Sequence, residues 1–476
     1  MLCFPPPSCS ALLGRCRHRR VILEGEVFAG ILRTSSLRTR NWVCGCGRFR
    51  SISDISLFYQ IRCKSQNGSS HYLAYRRSRL LCPLWTCLCN CLIDCDLDDF
   101  IDDLFKGPIS FKEEPYNDSI PELLLNPYSW TKKSSIIFVD LPAGTGFSYD
   151  TTSSAFKPGD FSQIHHYLQF LRKWLVDHPE FITNPFYVGG DSYSGMIVPV
   201  VAQKIVGGNT LEFPIINFQG YILGNPYTIR GSGDNFAIPF AHRMTLISEE
   251  LFESLKTSCK GKYVNIDPTN VECLKHYKIY KECISNVEPA CILDPKCPFQ
   301  SPKQQDIYDR RSLNSIPNLL INQNSSLSFR RCPEYKYKLS NDWANTDQVW
   351  KALHVREGSI EEWIRCKNRK DYTFEIESVF SYHVKLSSKG YRSLIYSGDH
   401  DMLVPHLDTQ TWIKALNYSI VDDWRPWFIL DQVAGYTRHY ANNMTFATIK
   451  GGGHTAEYTR RECSIMFSRW ISGESL

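Results

Sequence analysis

The sequence predicts an α/β fold: a mostly parallel central sheet with helices on both faces and a cysteine-containing cap inserted between two core strands. Three observations carry this. From about residue 105 onward, short apolar runs ending at Gly- or Pro-rich turns alternate with helical patterns. Between Pro226 and about Ser387 the alternation breaks, and that stretch holds Cys259, Cys273, Cys283, Cys291, Cys297, Cys332 and Cys366. Finally, 43% hydrophobic and 22% charged residues in 476 are ordinary for a globular enzyme with room for a large core.

In chain order, the first segment stands apart. Residues 1–95 carry 14 Lys or Arg, 13 of them Arg, against four Asp or Glu, and 11 of the 19 cysteines. Neither a 3.6-residue nor a 2-residue hydrophobic period runs through it, and "MLCFPPPSCSALLGRC" lacks the charged and apolar regions of a secretory signal. Cys82, Cys87, Cys89, Cys91 and Cys95 do not match the paired C-x₂-C spacing of zinc sites, so no metal is expected. A basic tail for anionic partners is an alternative. Residues 1–104 are therefore read as an atypical, disordered or aberrant segment, with the composition of an out-of-frame or mis-spliced translation. The remaining 381 residues hold 40 basic and 45 acidic groups, which leaves no basic patch for nucleic acid. No run reaches the roughly 18 apolar residues of a membrane span.

From residue 105 the elements follow in order. "SSIIFVD" (134–140) reads as a buried parallel strand. Ile164, Tyr167, Leu168, Leu171 and Leu175 then mark one face of a helix. "FYVGG" (186–190) is the next strand, with a helix from about Tyr193, and "INFQGYILGN" (216–225) a further strand. The cap is expected at about 226–387. "RSLIYSG" (392–398) and "FATIK" (446–450) are strands each followed by a helical pattern, the last with Cys463, Met466, Phe467, Trp470 and Ile471 on its core face. Cysteine density in the cap suggests disulfides and an oxidising compartment, in keeping with the sequons at Asn117, Asn324, Asn417 and Asn443 and, more weakly, Asn67.

A serine hydroxyl is a poor nucleophile until a base takes its proton, and that base needs an orienting carboxylate. In one arrangement these groups lie on loops at the carboxyl ends of strands in the order Ser, Asp, His. Here Ser192 follows "FYVGG", Asp399 and Asp401 follow "RSLIYSG", and His454 follows "FATIKGGG", whose glycines allow a sharp turn. Gly190 and Ser194, two residues either side of Ser192, supply the small side chains that the turn requires. Spacing alone does not choose between Asp399 and Asp401.

The body of the chain resembles the serine carboxypeptidase-like family, particularly its plant branch. The matching stretches include "LNPYSWTKKSSIIFVDLPAGTGFSY", "FLRKWLVDHPEFITNPFYVGGDSYSG", "QGYILGNPYT", "ALHVREGSIEEW", "YSGDHDMLVP" and "KGGGHTAEYTRRECSIMFSRWISG", collinear across about 106–476. The resemblance implies an α/β-hydrolase fold, no cofactor, a secreted or vacuolar location, and three disulfides mostly within the cap. It implies Ser192 as nucleophile, His454 as base, Asp401 as the triad carboxylate and the Tyr193 N–H as one oxyanion donor. Two departures bear on function. The family's "GGPGCS" loop, source of the second oxyanion donor and of a cysteine partner for Cys366, has no counterpart before Gly107-Pro108, and the family's first strands have no visible counterpart either. The acid pair that binds a peptide's terminal carboxylate is also incomplete, with Asp191 at one position and Phe105-Lys106 at the other. The expected function is a carboxypeptidase acting on peptides through an acyl-enzyme. The alternatives are an acyltransferase using acyl-glucose esters, as "GDSYSG" suggests, and a catalytically impaired family member.

Overall fold

The apolar runs that end at turns become the strands of one twisted sheet. A computed structural model describes residues 106–113, 119–150, 158–209, 214–296, 335–365 and 372–476, together with the backbones of three strands before them. Of those three, β1 (Arg40–Val43) and β2 (Leu57–Gln60) pair antiparallel, and β3 (Leu84–Asn90) belongs to the central sheet. From the sequence no counterpart of the fold's first strands is expected in this segment, yet β3 runs parallel between two core strands. A strand laddered on both sides needs no polar–apolar alternation, and "LWTCLCN" is largely apolar.

A small antiparallel pair follows, β4 (Ile109–Phe111) with β5 (Leu123–Leu125). Then come β6 (Ser135–Leu141), α1 (Asp160–Asp177), β7 (Phe186–Asp191), α2 (Ser194–Gly208) and β8 (Phe218–Gly224). Between β8 and the next core strand lie α3 (Ala237–Arg243), α4 (Glu249–Cys259), α5 (Val271–Cys283), α6 (Tyr335–Ala344), α7 (Asp347–Ala352) and α8 (Phe380–Ser388). The chain returns through β9 (Arg392–Gly398), α9 (His406–Ala415), β10 (Ile420–Ile429), β11 (Gln432–Tyr440), β12 (Met444–Ile449) and α10 (Arg460–Ile471). Among the described residues the central sheet runs β10-β11-β12-β9-β8-β7-β3-β6, parallel from β12 to β6 and antiparallel at the β10–β11 end.

Both faces of the sheet are covered at its centre, so β6, β7 and β12 are buried at every position rather than at alternate ones. On β6, Ile137 and Val139 belong to the buried cluster that also takes in residues of α1, α2, α8 and α9, whereas Ile136 and Phe138 belong to a second cluster with Trp130 and residues of α10. The predicted stripe Cys463, Met466, Phe467, Trp470 and Ile471 is buried there.

The β10–β11 hairpin has no sequence signal. Its two-residue loop is Leu430-Asp431, both at positive φ (45° and 60°). That geometry normally calls for Asn-Gly, and Leu-Asp hides it. Pro426 lies within β10, which tolerates proline because it is an edge strand.

In the region expected to be the cap, the structure records one disulfide, Cys259–Cys273, and free thiols at Cys283 and Cys291. Cys297, Cys332 and Cys366 lie outside the described residues. Among the described residues no helix is long and apolar enough to cross a membrane.

Candidate active site

Ser192 sits between β7 and α2 with φ at +54°, a left-handed conformation that costs a residue carrying a Cβ about 1–3 kcal/mol. Neighbouring backbone holds it there. Ser192 N–H donates to Gly224 O (2.9 Å), and Ser192 O accepts from Gly195 N (2.9 Å) and Tyr227 N (3.0 Å). The close approach this turn demands falls at Gly195, where a Cβ would lie 2.2 Å from Tyr227 O. Ser194, read from the sequence as one of the required small residues, is buried beside it. Ser192 itself is fully buried, and among the described residues its hydroxyl has no hydrogen-bond partner, unusual for a buried hydroxyl.

Asp401 and His454 meet at the carboxyl ends of β9 and β12. His454 Nδ1 lies 2.8 Å from Asp401 Oδ2, and both side chains are fully buried. Asp401 Oδ1 accepts from the backbone N–H groups of Leu403 (2.7 Å) and Val404 (3.2 Å), and Oδ2 accepts from Asn225 Nδ2 (2.6 Å). A carboxylate so fully supplied is fixed in place and keeps the imidazole in the tautomer with Nδ1 protonated. Asp399, which spacing could not separate from Asp401, instead bonds His400 (2.5 Å) and Gly451 N–H (2.7 Å).

Two supports of this arrangement were not singled out in the sequence. Asn225, at φ +40° just past β8, bridges Asp401 to Gly398 N–H (3.1 Å). Its signal was the Asn-Pro step closing "LGNP", which marks a turn but not a partner 176 residues away. The second support is a strap at Pro289–Ile292. Ala290 O accepts from His454 N–H (2.6 Å), Pro289 O from Met402 N–H (2.9 Å), and Ile292 N–H donates to His400 O (3.1 Å). The strap therefore ties the aspartate and histidine loops to the inserted region. It also divides the work of the glycines before His454: Gly451 turns the chain at φ +73°, while a Cβ on Gly453 would strike Ala290 O at 2.6 Å.

Asp191 directly precedes Ser192 and is already engaged. Its Oδ2 forms an ion pair with the Lys106 ammonium and its Oδ1 accepts from Tyr396 OH (2.8 Å). Both charged side chains are buried, and Gly224 lets the Asp191 carboxylate and the Tyr396 ring close over its Cα. Phe105 and the rest of 91–105, where a second oxyanion donor would be sought, lie outside the described residues.

Tyr193 is the N-cap residue of α2, where the first N–H groups have no intrahelical acceptor. Its hydroxyl donates to Asp160 (2.9 Å). Burial, with the nearby Asp160 charge, holds that phenol well above the usual tyrosine range. Among the described residues no group of His, Cys, Asp and Glu is arranged to hold a metal ion.

Comparison with known proteins gives one consistent result. The family model described as serine carboxypeptidase matches residues 105–473. Serine carboxypeptidase-like 19 of Arabidopsis thaliana is 52% identical over 376 residues, covering 78% of this chain and 80% of that protein. Serine carboxypeptidase-like 7 of the same plant is 50% identical over 371 residues, covering 78% of each. In fold, the chain is similar to the prohormone-processing carboxypeptidase Kex1(delta)p of Saccharomyces cerevisiae, with TM-score 0.65 at 16% identity over 92% of this chain and 91% of that one.

Proposed function

The chain belongs to the serine carboxypeptidase family, and from that premise we propose that it forms an acyl-enzyme on Ser192, with His454 as general base and acid and Asp401 as its orienting carboxylate. The observation that carries this is the buried 2.8 Å contact between His454 and Asp401, on the two loops that follow β9 and β12. The Ser192 hydroxyl attacks the acyl carbonyl while His454 Nε2 accepts its proton. The negative charge on the carbonyl oxygen then faces the Tyr193 N–H. His454 returns the proton to the leaving group as the C–N or C–O bond breaks. It next deprotonates the incoming nucleophile, which releases the acyl group and restores Ser192. Asp401 stays ionised throughout and stabilises the imidazolium.

The identity of donor and acceptor is the finer question. Release of a C-terminal residue needs a site for a free carboxylate, for which the family resemblance offers Asp191 with a second acid. The buried Lys106 ammonium and the Tyr396 hydroxyl occupy Asp191, which favours a second reading. In it, the donor is a neutral acyl ester such as an acyl-glucose, and the acceptor a small-molecule alcohol or amine. The chain is incubated with a blocked dipeptide, and separately with an acyl-glucose plus an alcohol acceptor. Transfer from the ester, lost in Ser192→Ala, with no amino acid released from the dipeptide, is the outcome expected of the second reading. Release from the dipeptide, lost in the same variant, restores the carboxypeptidase reading and leaves Ser192 in its role.

A further inference from the structure

Besides Asp401 and Asp191, a further buried carboxylate reaches the turn at Ser192. Asp160, the first residue of α1, is fully buried, and four donors that carry no charge surround it. Its Oδ1 accepts from Tyr193 OH (2.9 Å) and Tyr372 OH (2.6 Å), and its Oδ2 from the backbone N–H groups of Glu375 (2.7 Å) and Ile376 (2.8 Å). Tyr372 is held in turn by Gln163 Nε2 (2.5 Å), one turn further along α1. The Tyr193 ring packs edge-on against Phe374, with centroids 5.6 Å apart. One carboxylate thus joins three pieces of chain: the start of α1, the segment 372–376 that leads toward α8, and the residue that follows Ser192.

Burial of an anion without a cation is costly unless its lone pairs are filled, and here all of them are. A purely structural carboxylate could satisfy itself on the backbone of 375–376 and on Tyr372. The additional bond to Tyr193 reaches the residue whose N–H stands where oxyanion charge develops. Removing an oxyanion donor outright costs about 10²–10³ in kcat, and loss of its alignment costs part of that.

We propose that Asp160 is a positioning residue which, through the Tyr193 hydroxyl, sets the orientation of the Tyr193 N–H toward the acyl oxygen in the transition state. This rests on the reading of Ser192 as the acylated residue. The effect belongs in kcat, because ground-state binding of the acyl group does not use the aligned N–H.

The test compares Tyr193→Phe with Tyr372→Phe in the full chain, using a p-nitrophenyl ester as substrate. Each variant removes one hydroxyl from Asp160 Oδ1, but only the first touches the residue after Ser192. The expected result is a kcat about tenfold lower in Tyr193→Phe with KM changed less than about twofold, and a kcat in Tyr372→Phe within about twofold of wild type. Equal losses in both variants would assign Asp160 a structural role only, and a Tyr193→Phe enzyme with wild-type kcat would likewise overturn the proposal. A folded wild-type chain that does not cleave the ester overturns the acyl-enzyme reading and this inference with it, so the two failures are told apart by the wild-type control.

Discussion

Asn225 is the residue on which the aspartate loop depends most directly. It donates to the same Asp401 oxygen that His454 contacts, and its own carbonyl oxygen anchors Gly398 N–H at the end of β9. A hydrogen bond to a buried charge contributes about 1.5–3 kcal/mol, or about 10- to 100-fold in a rate that needs the carboxylate in place. Asn225→Ala is therefore expected to lower ester-hydrolysis kcat by about tenfold or more with little change in KM. Asn225→Asp is expected to be worse, since it sets two carboxylates against each other; steady-state kinetics on both variants checks the order. Ser192 and His454 stood out as candidates in the sequence because their chemistry constrains both residue type and place, with small residues around the serine and glycines before the histidine. An acid after β9 was expected on the same ground, but only the family resemblance separated Asp401 from Asp399. Asn225 and the Pro289–Ile292 strap were not, because their contribution is contact across more than a hundred residues of chain. Gly195 escaped notice for a related reason, as only the packed backbone of Tyr227 reveals which small residue the turn cannot lose.

At the scale of elements, the site is assembled from loops that the inserted region holds together. The strap bonds the aspartate and histidine loops, and it follows α5, which the disulfide Cys259–Cys273 joins to α4. A sequence separation of 14 gives a chain-entropy stabilisation of about 3 kcal/mol. Replacing both cysteines by serine is expected to lower stability by about that amount, seen as an earlier midpoint in urea; an unchanged midpoint would mean that α4 and α5 hold together without the bond. The parallel strands β6, β7, β8, β9 and β12 were readable from their continuous apolar runs and the amphipathic helices from their period, since each buries a continuous face. The β10–β11 hairpin was not, because Leu430-Asp431 gives no turn signal and its residues lie at the sheet's edge, where apolar patterning is relaxed.

Across the whole molecule, the family match begins at residue 105, and the preceding Arg- and Cys-rich segment lies outside it. The structure nevertheless carries β3 of that segment through the sheet beside β7, the strand that delivers Ser192. Lys106, just inside the match, pairs with Asp191 next to Ser192, so the junction between the two kinds of sequence reaches the candidate site itself. No hydrophobic period could have revealed this, because β3 is defined by its ladders on both sides and the Lys106–Asp191 pair joins residues 85 apart in the chain. The proposed acyl-enzyme requires that this chain, as it stands, hold a serine activated for acylation at position 192. The most direct measurement is incubation of the folded protein with a fluorophosphonate probe, followed by mass-spectrometric mapping of the adduct. One adduct is expected, on Ser192, absent in Ser192→Ala and strongly slowed in His454→Gln. A folded protein that stays unlabelled, or labels at another serine, would contradict it.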